Sequence, residues 1–213
     1  MHAPQNAYIH IPFCNSKCFY CAFISTVNTK LELGYLIALL KEINTNYQGN
    51  TLNTLYFGGG TPSILPLEHV KKIFNKFNLA PNAEITLELN PENATADYLS
   101  GLKEIGINRL SIGIQTFNDN ILKQIGRRHS AEQAKNAVKI AQNAGFDNIS
   151  LDFIYGLPNQ RIEDFTNDLK IAKTFNVPHI SLYGLKIEDN SVFGKKTPQN
   201  LPDDDLQADM YLK

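Results

Sequence analysis

Tyr8-Ile-His-Ile-Pro-Phe-Cys14-Asn-Ser-Lys-Cys18-Phe-Tyr-Cys21 runs from a short apolar stretch straight into a loop that holds all three cysteines of the 213-residue chain. The run Ala7 to Ile11 has the length and residue types of a strand. A strand whose following loop carries the chain's unusual chemistry is the opening unit of a βα architecture, in which function collects where strands end. Three clustered thiols in a reduced setting point to metal binding or redox work and away from a disulfide framework.

Outward from that stretch, the same grammar repeats. Strands are expected at Ala7 to Ile11, Thr54 to Phe57, Glu84 to Leu89, Arg109 to Ile114, Asn148 to Ile154 and His179 to Tyr183. Helices fall between them. Leu36, Leu39, Leu40 and Ile43 share one face of the segment from Leu31 to about Tyr47, and Thr95 can cap a helix bearing Leu99, Leu102 and Ile105. Ser130 and Gln133 make a capping box ahead of Ala134, Ala137, Val138 and Ala141, with Gly145 as the stop. Ile162, Phe165, Leu169 and Ala172 give another amphipathic face. Parallel strands joined by right-handed helical crossovers make an open doubly wound sheet or a barrel, and six units suit a three-quarter barrel. The fold class is thus α/β, a partial (β/α)6 TIM-like barrel over residues 1–202, with residues 203–213 opening a further C-terminal region.

The count of ligands narrows the metal. A structural zinc site takes four protein ligands, usually as two separated pairs, and no second pair is present. A cubane iron-sulfur cluster normally takes four thiolates, so three leave one iron open to an outside ligand. A non-catalytic barrel with zinc on its cysteines remains the competing reading, which iron and sulfide analysis separates. His10, on the first strand, reads as a hydrogen-bonded strand histidine or as a further ligand; His69, on an exposed helix, and His179 give no functional signal.

The other uncommon residues sit just after strands, on the same rim. Gly58-Gly59-Gly60-Thr61-Pro62 follows the second strand, Glu88 ends the third, Gln115 follows the fourth, and Asp152 lies on the fifth before Tyr155-Gly156-Leu157-Pro158. Successive glycines let backbone carbonyls approach a ligand ammonium, although an ordinary strand-to-helix turn uses glycine as well. Glu88 and Asp152 can accept hydrogen bonds from ribose or ammonium groups, and Arg127 can grip a carboxylate with two parallel hydrogen bonds. Surface ion pairs are the alternative for the acids, and a solvated basic turn is the alternative for Arg127-Arg128-His129.

Composition excludes several classes. With 43% hydrophobic residues the chain can bury a full core, and a formal net charge of -1 gives no overall attraction to nucleic acid or an acidic membrane. The first residues lack a basic and apolar leader, and no stretch approaches the roughly 20 apolar residues of a spanning helix. A cytoplasmic protein is expected, with no nucleic-acid partner and at most a peripheral contact with membranes.

The motifs Tyr-Ile-His-Ile-Pro-Phe-Cys, Gly-Gly-Gly-Thr-Pro, Glu-Ile-Thr-Leu-Glu-Leu-Asn-Pro, Asn-Arg-Leu-Ser-Ile-Gly-Ile-Gln-Thr-Phe and Leu-Asp-Phe-Ile-Tyr-Gly-Leu-Pro, with the C-x3-C-x2-C spacing, resemble the radical S-adenosylmethionine (SAM) superfamily. Within it the chain is similar to the oxygen-independent coproporphyrinogen III dehydrogenase branch, and there to the HemW-type haem chaperones. The resemblance implies that Cys14, Cys18 and Cys21 bind a 4Fe-4S cluster. It implies that Tyr8, Tyr20, Gly60, Thr61, Glu88, Gln115, Arg127 and Asp152 surround SAM. Tyr20 could meet the adenine or simply shield the cluster. The implied partners are SAM, haem or a porphyrinogen, a haem-accepting respiratory protein, and a reductant such as flavodoxin or ferredoxin.

Two departures separate chaperone from dehydrogenase. Dehydrogenases of the branch carry a further cysteine two residues beyond the third ligand, where this chain has Phe23, and they extend well upstream of the first strand. Haem carriage is therefore expected over porphyrinogen decarboxylation. The chain ends inside the helix-like stretch Pro202 to Lys213 and has no tryptophan, so the family's His-Asn-x-x-Tyr-Trp motif is absent and haem is assigned to a longer parent without named residues.

Overall fold

The computed structural model describes residues 4–213; the first three, part of the stretch read for a leader, lie outside the described residues. Six strands, β1 (Asn6–Ile11), β2 (Leu52–Gly59), β3 (Leu79–Leu89), β4 (Arg109–Gln115), β5 (Asn148–Tyr155) and β6 (His179–Gly184), form one parallel sheet in the order of the sequence. Between and after them lie α1 (Glu32–Asn46), α2 (Leu67–Phe74), α3 (Ala96–Ile105), α4 (Asp119–Gln124), α5 (Ala131–Asn143), α6 (Ile162–Thr174), α7 (Val192–Lys195) and α8 (Asp204–Tyr211). Strictly sequential parallel order is what right-handed crossovers of one sense produce, and it gives the partial barrel expected from the sequence.

Strand periodicity divides the sheet into two chemistries. One face carries Ile9, Ile11, Leu55, Phe57, Ile85, Leu87, Leu89, Leu110, Ile112, Ile114, Ile149, Leu151 and Phe153, all buried beneath the helices. Alternate positions on the other face are mostly polar: Tyr8, His10, Tyr56, Thr86, Glu88, Ser111, Ser150 and Asp152. Parallel sheets covered by core on both faces read as unbroken apolar runs. The polar parity of this sheet therefore marks an interior built to meet something other than hydrocarbon.

Helix ends follow the caps in the sequence. The Ser130 hydroxyl accepts from the Gln133 amide at 3.2 Å, and the Gln133 side chain accepts from the Ser130 amide at 2.8 Å, closing the capping box of α5. Thr95 caps α3, and Gly145 (φ 83°) ends α5.

Two local differences from the expected elements have physical causes. β3 begins at Leu79, five residues before the expected Glu84, and passes through Pro81. The register with β2 shifts between Leu52 and Thr54, and that irregularity tolerates the missing proline donor. His69 sits on α2 but is not exposed: its ring is 12% accessible, and its Nδ1 lies 2.7 Å from Glu32 Oε1 on α1. α8 is a capped helix packed on α6 and β5, with Met210 fully buried.

Candidate functional site

A cavity of about 570 Å³ opens at the carboxyl ends of the strands. It brings together Cys14, Cys18, Cys21, Tyr20, Gly60, Thr61, Glu88, Gln115, Arg127 and Asp152 from five different strand ends and their loops. Of the residues singled out from the sequence, Tyr8 alone stays outside its wall. Tyr8 is 57% exposed, with its ring stacked on Tyr56 at 5.8 Å and its hydroxyl 3.3 Å from His10 Nδ1. Its neighbour in register is Tyr56, two residues short of the glycine turn, and a Cβ on Gly58 would meet both its ring, at 2.8 Å, and Glu88 Oε1, at 3.0 Å.

The cysteine loop is held by its own chain. The Cys14 amide donates to Thr26 O at 3.0 Å and the Thr26 amide to Pro12 O at 2.7 Å, while Lys17 Nζ donates to Phe23 O at 2.8 Å and to Ser25 Oγ at 2.9 Å. His10 behaves as a strand histidine: Ile24 O accepts from its Nε2 at 2.9 Å, which also ties the loop to β1. Two of the three sulfurs are met by side-chain donors from other loops. Thr61 Oγ1 donates to Cys14 Sγ at 3.5 Å, and Arg127 Nη1 donates to Cys18 Sγ at 3.7 Å. Burial pushes the Cys21 thiol up, which favours its protonated form. A metal would reverse that preference by ligating the thiolate.

The glycine turn explains itself in contacts. Gly59 takes φ 115°, a left-handed conformation that disfavours any side chain. A Cβ on Gly60 would lie 2.7 Å from Phe13 O and 2.9 Å from Cys14 Sγ, so only glycine lets β2 run this close to the cysteine loop.

Opposite the sulfurs stand two oriented carboxylates. Glu88 accepts from Tyr56 OH at 2.9 Å on one oxygen and from the Gly59 amide at 3.2 Å on the other. Burial pushes its pKa up despite those two hydrogen bonds, with Asp152 adding to the rise, so a cationic partner would relieve it. Asp152 accepts from Ser111 Oγ at 2.7 Å and from Ser150 Oγ at 3.1 Å, one serine on each oxygen.

Arg127 is not part of a solvated basic turn. Its Nη2 donates to Gly113 O at 2.8 Å and to Asn90 Oδ1 at 2.9 Å. Burial alone would discourage its charge, but Tyr20, Cys18 and Glu92 outweigh burial and hold it a cation. His129 is buried too, and Arg128 alone of the three is exposed. The basic run divides this way because Arg127 and His129 point into the strand ends and Arg128 points out. Gln115 closes β4 with φ 67°, a strained conformation for a residue with a side chain, at a register shift against β5. Tyr20 lines the cavity and also packs on the buried cluster of Ile121, Leu122, Ile125 and Phe193.

Residues 8–172 match the family described as the Radical SAM superfamily. The chain belongs to the radical SAM superfamily. It is 36% identical to the haem chaperone HemW of Lactococcus lactis over 99% of this chain and 58% of that protein. With the haem chaperone HemW of Escherichia coli the figures are 39%, 98% and 57%. The chain thus spans less than two thirds of the length of these relatives. Among solved structures, the coproporphyrinogen III oxidase HemN of Escherichia coli, described as a radical SAM enzyme, matches with a TM-score of 0.89 at 30% identity, over 98% of this chain and 51% of that one.

Within this radical SAM chain, several cavity residues carried too little sequence signal to be singled out. Asn90 and Glu92 lie just past the β3 motif, and Ser111 is a single small polar residue between Leu110 and Ile112. Only the parity of Ser111 with Gly113 and Gln115, facing inward on β4, could have found it.

Proposed function

We propose that this chain is the cluster- and SAM-binding core of a HemW-like haem chaperone that delivers haem to respiratory acceptors in the cytoplasm. One observation carries the reading: three thiols on one wall of a single cavity face two hydrogen-bonded carboxylates and an arginine on the other. Cys14, Cys18 and Cys21 would hold a 4Fe-4S cluster, with Thr61 and Arg127 donating to its sulfur ligands. Among the described residues, no three His, Cys, Asp or Glu side chains gather around a single-ion site.

The remaining wall complements a zwitterion attached to a nucleoside. Arg127 would take the carboxylate, and the carbonyls of the Gly58 to Gly60 turn would take the ammonium. Glu88 and Asp152 would accept from ammonium or ribose hydroxyls, with Tyr20 and Gln115 lining the sides and Tyr8 supporting Glu88 through Tyr56. When bound, the cluster would supply the single electron that cleaves the sulfonium, while the protein positions the two groups and excludes water.

Two observations favour the chaperone reading: the curated relatives are named haem chaperones, and the residue two beyond Cys21 is Phe23, whose side chain is exposed at the cavity rim. The second reading, coproporphyrinogen III dehydrogenase, draws on the likeness to HemN. Among the described residues no helix is long and apolar enough to cross a membrane. The test is to offer the full gene-encoded protein haem and, separately, coproporphyrinogen III with SAM and a reductant. Stoichiometric haem binding without vinyl products supports the chaperone. Vinyl products formed with matching 5′-deoxyadenosine would make it a dehydrogenase.

A further inference from the structure

Close to Arg127 lies a pair of ionisable groups that the proposed ligand contacts leave unused. Glu92 sits in the 3-10 turn Pro91–Asn93 after β3, and His129 lies just before α5, its ring fully buried. Ile114 O, 3.2 Å from His129 Nε2, can only accept, so Nε2 must carry a hydrogen. The other ring nitrogen, Nδ1, faces Glu92 Oε2 at 3.5 Å. Both atoms are sealed from solvent with no hydrogen-bond partner, and the Nε of Arg127 is likewise buried and unpartnered.

If Nδ1 carries only its lone pair, it meets a carboxylate oxygen lone pair to lone pair in a medium that screens poorly. One proton anywhere between the two atoms, as imidazolium against carboxylate or as imidazole against carboxylic acid, turns that contact attractive. The Arg127 charge works against this proton, because it favours the net-negative, deprotonated pair. Other groups contribute little: the inward residues of α5 are Ala131, Ala134, Ala137, Val138 and Ala141, and Arg128 turns outward toward Asn15 O.

We propose that Glu92 and His129 are positioning residues that come to share one proton when an anion binds Arg127, the anion drawing that proton in from solvent. The proposal rests on Arg127 as the carboxylate grip of the site. A ligand carboxylate cancels the guanidinium charge, which removes the opposition to the proton. The pair then becomes neutral overall and closes on itself, fixing the turn that carries Asn90 and, through Asn90, the guanidinium. Ligand affinity at this end of the cavity would therefore fall as pH rises through the range where the pair loses its proton, by up to tenfold per pH unit.

The first measurement needs no ligand. Nitrogen-resolved spectra of the His129 ring in the reconstituted chain should show a proton held on Nε2 at every pH and a titration on Nδ1. Replacing Arg127 by Gln should move that titration upward by ~1 pH unit or more, and Glu92→Gln, whose amide can donate to Nδ1, should abolish it. A His129 that titrates identically in the parent and in both variants would overturn the proposal. The second measurement is calorimetric titration with SAM in two buffers of different ionisation enthalpy. Proton uptake on binding, lost in Glu92→Gln and His129→Gln while SAM still binds, is the expected result; binding without proton uptake in the parent would overturn the linkage. A failure of SAM to bind the parent, with the spectra behaving as expected, would refute the carboxylate grip and the uptake together but leave the shared proton standing.

Discussion

Gly60→Ala is the substitution whose outcome the coordinates determine most closely. The added methyl would lie 2.7 Å from Phe13 O, 2.9 Å from Cys14 Sγ and 3.0 Å from Ile11 O. Ordinary contacts of this kind begin at 3.4 Å, so the deficit is about 0.7 Å at the worst point. Neither carbonyl can retreat freely, since Phe13 O accepts from the Thr61 amide and Ile11 O accepts from the Gly60 amide, both at 2.8 Å. The backbone is not in a left-handed conformation here, so the whole cost is steric. Overpacking of this kind costs about 1–3 kcal/mol, and one weakened backbone hydrogen bond adds about 1 kcal/mol. For a chain of this size the combined cost of about 2–4 kcal/mol corresponds to a fall in melting temperature of roughly 4–16 °C. Because Cys14 Sγ is the softest of the three obstacles, the displaced atom should be the sulfur, and metal loading should fall further than stability does. Thermal melts of the unreconstituted chain and iron content after reconstitution check both parts. A Gly60→Ala chain that melts within a degree of the parent and loads iron to the same level would refute the reasoning.

Other expected outcomes are as specific. Asp168 on α6 is buried, accepts from the Phe117 amide at 2.7 Å on one oxygen and has no partner on the other. Burial pushes its pKa up to about 6. Its folded-state pKa lies above the unfolded value, so its contribution is full below pH ~4 and is lost as pH rises through about 6, amounting to ~3 kcal/mol at most. Asp168→Asn should flatten that part of the pH dependence in urea melts, and a variant curve parallel to the parent would contradict the assignment. Arg127→Lys cannot keep the contacts to both Gly113 O and Asn90, and SAM affinity by equilibrium dialysis should drop roughly 10- to 100-fold, the worth of a charge-assisted hydrogen bond. Ser130→Ala removes the cap of α5 and should cost about 1 kcal/mol in denaturant melts, with no change in metal loading.

Much of this architecture was legible because parallel βα units write themselves in period. Short apolar runs separated by amphipathic segments gave the strand positions, and the cap pair Ser130 and Gln133 fixed a helix start to the residue. Pro81-Asn82 reads as a turn in one dimension. Only pairing with β2, which supplies an irregular register at Leu52, makes it strand. Cavity residues were found where one motif held them, as with the cysteines and the glycine turn. The missed ones owe their role to partners far away in sequence: Glu92 matters because His129 and Arg127 arrive beside it from beyond β4, and Asn90 because Arg127 reaches it.

The central claim is that the three thiols and the wall opposite them form one site for an iron-sulfur cluster and SAM. Anaerobic reconstitution of the chain, followed by iron and sulfide analysis and by electron paramagnetic resonance of the reduced protein with and without SAM, tests it directly. The account predicts about four irons and four sulfides per chain, a reduced-cluster signal that SAM changes, and loss of both in Cys14→Ser, Cys18→Ser and Cys21→Ser. Bound zinc without sulfide, or a complete cluster whose signal SAM leaves untouched, would contradict it.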